Sequence, residues 1–88
     1  MIEQAQLDQV LDLVRRQGVG SGTVEQLRQQ LPELHFTYCM DDDVGEMEPI
    51  HQDATFNLYL VDGRNHCLCF TRDLSAATGL VLAEVVED

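Results

Sequence analysis

From residue 2 to residue 17 the apolar positions follow one helical face. Leu7, Val10, Leu11 and Val14 fall at i, i+3, i+4 and i+7, the spacing of a buried stripe on an amphipathic helix. Glu3 stands in the first turn and Arg15 and Arg16 in the last, which suits the helix dipole. Asp12 and Arg16 form an i, i+4 pair in the favourable order. Gly18 offers a C-cap. Residues 18–22 (GVGSG) read as a flexible break, after which Thr23 offers an N-cap and Gln26, three residues on, completes a capping box. A second helix is expected from 24 to about 31, with Val24, Leu27 and Leu31 on one face, stopped by Pro32. The two helices form a hairpin.

After Pro32 the period drops from 3.6 to 2. Residues 34–40 (LHFTYCM) alternate as a strand, with Leu34, Phe36, Tyr38 and Met40 on one face and His35, Thr37 and Cys39 on the other. Residues 55–61 (TFNLYLV) read as a second strand with Phe56, Leu58 and Leu60 inward. Asp62, Gly63, Arg64 and Asn65 carry the Asp-Gly signal of a hairpin turn. Residues 66–71 (HCLCFT) read as a third strand with Leu68 and Phe70 inward. Residues 73–78 read as one helical turn ended by Gly79, and residues 80–86 (LVLAEVV) as a fourth strand. A helix over 74–86 is the alternative that periodicity alone leaves open. No repeat or domain boundary interrupts residues 1–88, so the pattern predicts a single α+β domain, with an N-terminal helical hairpin covering one face of a three- to four-stranded antiparallel sheet.

Composition sharpens this picture in one respect. The chain has 88 residues, 44% of them hydrophobic, enough for one core and against global disorder. Trp is absent and aromatic residues make up 6%, so the core is mostly Leu and Val. A chain of this size buries roughly two-thirds of its unfolded surface, and dimerisation would be a natural supplement.

The charge is lopsided. Net charge is -11, and between Arg28 and Arg64 stand Glu33, Asp41, Asp42, Asp43, Glu46, Glu48, Asp53 and Asp62 with no Lys or Arg among them. Such a field repels nucleic acid and anionic membrane surfaces and favours cations or basic protein faces. The second helix position (TVEQLRQQL) resembles a helix-turn-helix in outline, but it carries one Arg and one Glu and follows a long Gly-rich linker, which opposes DNA binding. No stretch approaches the roughly 20 apolar residues of a membrane span. The opening MIEQAQLDQ lacks the basic and apolar regions of a signal peptide. With three cysteines, an odd number, reduced thiols and a cytoplasmic location are expected.

Two groups of residues carry candidate chemistry. Cys67 and Cys69 share one strand face about 7 Å apart, and Cys39 shares a face with His35. If the two strands adjoin, Cys39, Cys67, Cys69 and His35, with His66 nearby, could hold a soft metal or an iron–sulfur cluster. Against this, Cys-x-Cys within a regular strand holds the sulfurs too far apart to chelate readily, and Cys packs well as a small apolar residue. Asp41, Asp42, Asp43, Glu46 and Glu48 form the second group. Their order does not match a calcium-binding EF-hand loop, which leaves a solvated loop, a contact with a basic partner or a cation site. His51 beside them is either an ordinary surface histidine or a pH-sensitive one. No nucleophile, base and orienting group assemble into a catalytic motif, so neither an enzyme nor a bound cofactor is expected.

Residues 56–61 (FNLYLV), then DGRNHCLCFT, then AATGLVLAEV, resemble small uncharacterised bacterial proteins that occur among nitrogen-fixation gene clusters. The resemblance covers the C-terminal third well and the DDDV segment less closely. It implies no known activity or catalytic residue. It does imply an accessory role near an oxygen-sensitive metalloenzyme, and it draws interest to Cys39, Cys67 and Cys69. The expectation is a small acidic cytoplasmic accessory or adaptor protein that binds a basic face of a partner protein through Asp41, Asp42, Asp43, Glu46 and Glu48. A soft-metal or iron–sulfur carrier is the alternative.

Overall fold

The computed structural model describes residues 2–63 and 69–86. Helix α1 spans Gln4–Gln17 and buries Leu7, Val10, Leu11 and Val14 together with Leu13. Gly18 ends it, its N–H donating to the Val14 carbonyl at 2.8 Å. Helix α2 spans Ser21–Gln30, starting earlier than the pattern predicts, with Gly20 rather than Thr23 at the N-cap and no side-chain cap bond there. Thr23 lies inside the helix, and its hydroxyl donates to the Gly18 carbonyl at 2.5 Å. The last carbonyls of a helix lack partners within it. Thr23 satisfies one of them at the end of α1 and so ties the two helices together across a three-residue link.

The described residues contain five strands in one sheet: β1 (His35–Met40), β2 (His51–Gln52), β3 (Phe56–Asp62), β4 (Cys69–Thr71) and β5 (Gly79–Glu84). The order is β1-β5-β3, and β3's outer edge is shared by β2 and β4. β5 runs antiparallel to β3 but parallel to β1, so the sheet is mixed and not the expected antiparallel meander. The reason lies in burial. In β5 Leu80, Val81, Leu82 and Ala83 are all buried, and a strand apolar on both faces belongs in the sheet interior. β1 exposes His35 and Thr37 and tolerates an edge. β5 thus inserts between β1 and β3, and residues 79–84 are strand, not helix.

Both sheet faces are covered. Phe36, Phe56, Leu58, Leu60, Leu80 and Leu82 meet α1 and α2 in the main core. Burying each such side chain contributes about 1.5–3 kcal/mol. Tyr59, Val61, Val81 and Ala83 form a second apolar cluster on the opposite face, which the strand pattern did not anticipate. Phe70, expected inward, is 40% exposed. Its register partner is Val61, so it stands on this second face, its ring 5.7 Å from that of Tyr59. The predicted third strand is seen from Cys69. Arg64, Asn65, His66, Cys67 and Leu68 lie outside the described residues. The predicted turn after Asp73 is present, with Asp73 accepting from the Ser75 N–H at 3.0 Å and the Ser75 hydroxyl at 2.7 Å. Among the described residues no helix is long and apolar enough to cross a membrane.

Candidate functional site

The acidic segment folds onto the second face of the sheet. β1 leads at Met40 into a single 3-10 turn, Asp41–Asp43. Asp41 points back at β3, where its carboxylate accepts from Asn57 Nδ2 at 2.9 Å and from the Tyr59 hydroxyl at 2.8 Å. Val44 and Met47 then pack, with Cys39, against Tyr59, Val61, Val81 and Ala83. Between them Gly45 takes a positive φ of 84°, a conformation costly for a residue with a Cβ. The segment closes at Glu48, whose carboxylate meets the Arg72 guanidinium at 2.9 Å.

This anchorage sorts the five predicted carboxylates. Asp41 is half-buried and bound to the protein's own groups. Glu48 is exposed but ion-paired within the chain. Asp42, Asp43 and Glu46 are exposed and make no side-chain hydrogen bond or ion pair with other described residues. Val44 and Met47, the two apolar side chains within residues 41–48, were the sequence signal that the segment covers a surface.

Asp41 and Tyr59 depend on each other. Burial, then the adjoining Asp41 carboxylate, pushes the Tyr59 hydroxyl up to about 12. Tyr38 is also raised, first by its hydrogen bond to Glu84, with the hydroxyl 2.5 Å from Glu84 Oε1. A tyrosine whose folded pKa exceeds its unfolded value contributes stability that is complete below about pH 10 and is lost as pH rises through the folded value. Ultraviolet titration of the folded protein should therefore show neither tyrosine ionising at its ordinary midpoint. Denaturant stability should fall from about pH 10 to about pH 12. A normal tyrosine titration would remove both contacts.

Replacing Asp41 by Ala leaves the Tyr59 hydroxyl without its acceptor on a residue 3% exposed. The expected loss is about 1–3 kcal/mol in urea unfolding, with hydrogen exchange rising at residues 41–48. Asp42→Ala, on an exposed side chain, should change stability by no more than about 0.5 kcal/mol.

The cysteines and histidines are dispersed. Cys39 lies on β1 and Cys69 on β4, with β5 and β3 between them. Three strand spacings make roughly 14 Å, so the strand adjacency that a shared metal required is absent. The two described thiols are free. Burial, then the charges of Asp43 and Asp41, push the Cys39 thiol up. His35, exposed on β1, is on the edge far from β4. No cluster of three or more potential ligands occurs among the described residues. Cys67 and His66 lie outside them.

His51 belongs to a different cluster. Its Nε2 is 3.5 Å from Asp53 Oδ2 and 3.2 Å from an Arg15 guanidinium nitrogen, and Arg15 Nε donates to Asp53 Oδ2 at 3.2 Å. The N–H of Ala54, then bonds from Arg15 and His51, hold the Asp53 carboxyl below its usual value against a smaller opposing effect of burial. The cluster pins α1 to the β2 turn. A pocket of about 250 Å³ opens nearby, lined by Gln4, Leu7, Ile50, Leu60, Arg72 and Leu74. Neither His35 nor His51 lines it.

The model of a protein family described as a family of unknown function (DUF6129) matches residues 9–85. No curated protein and no solved structure matches.

Proposed function

The chain belongs to the DUF6129 family, whose function is unknown, and from its own geometry we propose that it is a cytoplasmic protein-binding module that presents an acidic surface to a basic face of a partner. The observation that carries this reading is the anchorage of residues 41–48. Asp41, Val44 and Met47 fasten the segment to the sheet, and this holds Asp42, Asp43 and Glu46 outward in a defined arrangement. A fixed cluster of like charge loses less conformational entropy on binding than a mobile loop and steers association over the Debye length. The helices support the reading from the other side, because Val24 and Leu27 of α2 are buried against the sheet and α2 carries little basic charge for a nucleic-acid groove. The resemblance to proteins of nitrogen-fixation gene clusters extends the proposal to an accessory role beside an oxygen-sensitive metalloenzyme.

The test is affinity capture of the tagged chain from its host, at low and at high salt. The expected result is a dominant partner released by salt. A combined Asp42→Asn, Asp43→Asn and Glu46→Gln variant should capture it at least about tenfold less well, about 1.4 kcal/mol, with an unchanged unfolding midpoint. Equal capture by that variant would refute the acidic-surface reading.

A further inference from the structure

The two sides of the sheet end differently. On one side the outer edge of β3 is shared by β2, a strand of two residues, and by β4, described over Cys69–Thr71. A very short edge strand such as β2 blunts a sheet. On the other side β1 ends the sheet with six residues in unbroken register against β5, from His35↔Gly79 to Met40↔Glu84. It contains no Lys or Pro and no bulge in that register, which are three of the common devices that stop further pairing.

Its hydrogen-bonding row can be assigned. The His35 N–H donates inward to the Thr78 carbonyl at 3.2 Å. Backbone groups alternate along a strand, so the N–H and C=O of Phe36, Tyr38 and Met40 turn outward. Arg28 reaches over from α2 and donates to the Phe36 carbonyl at 2.9 Å, which confirms the direction. Beyond Phe36, the outward groups of Tyr38 and Met40 face no strand among the described residues.

Charge selects the occupant. Glu33 precedes the edge, Asp41–Asp43 follow it, and Glu84 lies opposite Met40 in the next strand. A second copy brings its own net charge of -11. Antiparallel pairing about Tyr38 would bring the acidic Asp41–Asp43 turn of each copy toward the Glu33 end of the other, adding to the repulsion between two chains of like net charge. An extended segment carrying Lys or Arg meets the opposite situation.

We propose that the outer edge of β1 takes up an extended basic segment of the partner as an added strand, main-chain bonds at Tyr38 and Met40 supplying affinity and the carboxylates around the edge selecting the charge. This rests on the acidic-surface reading and specifies how the partner is held.

The probe is a short synthetic peptide alternating valine and lysine, with its valine and glutamate counterpart as control. Titrated into the isotopically labelled protein, the basic peptide should slow exchange of the Tyr38 and Met40 amides, and the acidic one should not bind. Met40 has φ -85° and ψ 144°, which proline can adopt with little adjustment. Met40→Pro thus removes an outward donor and places a ring in the path of an added strand. It should weaken peptide binding at least about tenfold, as read by calorimetry, with the unfolding midpoint kept. The amide exchange of the unaltered protein needs no variant and decides the matter if Met40→Pro does not fold. Equal binding by Met40→Pro, with loss in the Asp42→Asn, Asp43→Asn, Glu46→Gln variant, would overturn strand addition and leave the acidic-surface reading standing. Equal binding of both peptides, or of neither, would overturn the proposal. So would a dimer in solution that Met40→Pro dissociates, since the edge would then belong to a second copy.

Discussion

A Phe56→Ala chain is expected to unfold with about 3–5 kcal/mol less stability than the parent. Phe56 is 1% exposed and is the bulkiest of the fully buried side chains. It opens β3, opposite Glu84 of β5, and its ring lies 6.2 Å from that of His51. Removing it opens a cavity in the main core at the level where the β2 turn meets α1. Domains of this size hold roughly 0.05–0.15 kcal/mol per residue, or about 4–13 kcal/mol in all, so the change removes a large share and could leave the chain unfolded at 37 °C. The contrast is Phe70→Ala. Phe70 stands 40% exposed on the second face, and its loss should be within about 1 kcal/mol. Urea unfolding of the two variants side by side measures both. Equal losses would mean that Phe70 packs inward after all.

Gly79→Ala is expected to cost about 3 kcal/mol although it adds a single methyl group. A Cβ at Gly79 would stand 2.5 Å from the His35 carbonyl oxygen and 2.9 Å from the His35 Cβ. The first of these is backbone, which cannot swing aside as a side chain does, so the start of the β1–β5 ladder must spread. Overpacking of this kind typically costs about 1–3 kcal/mol, and a backbone clash lies at the upper end. Hydrogen exchange should rise at His35 and its neighbours while the β3–β5 ladder keeps its protection. A chemical-denaturation midpoint unchanged by Gly79→Ala would show that β1 and β5 approach less closely than described.

These two residues also mark the range of what the sequence conveys. Phe56 is legible, since alternation through residues 55–61 points it inward. Gly79 is half legible. Its position before an apolar run suggested an interruption, and it instead begins β5, because what makes a small residue necessary there is His35, 44 positions away. The candidate site divides in the same way. Charge density drew attention to residues 41–48, but sequence alone could not separate Asp41, which is bonded to Asn57 and Tyr59, from Asp42, Asp43 and Glu46, which are exposed. That Cys39 and Cys69 stand on strands that are not neighbours follows from strand order, a property no single strand encodes.

The sequence by itself determined the local elements of this protein. It set two amphipathic helices ended by Gly18 and Pro32, alternating strands over most of the predicted spans, a turn at Asp73 and an acidic surplus between Arg28 and Arg64. Periodicity, caps and charge act over a few residues, so they can be read a few residues at a time. The tertiary structure alone decided which strands are neighbours, that β5 enters parallel to β1, that the sheet has a second apolar face, and that residues 41–48 cover it. Those outcomes depend on burying the most apolar strand on both sides at once, which is a competition among all the strands for the centre of the sheet. The outer edge of β1, which pairs with no strand among the described residues, is what that competition leaves over.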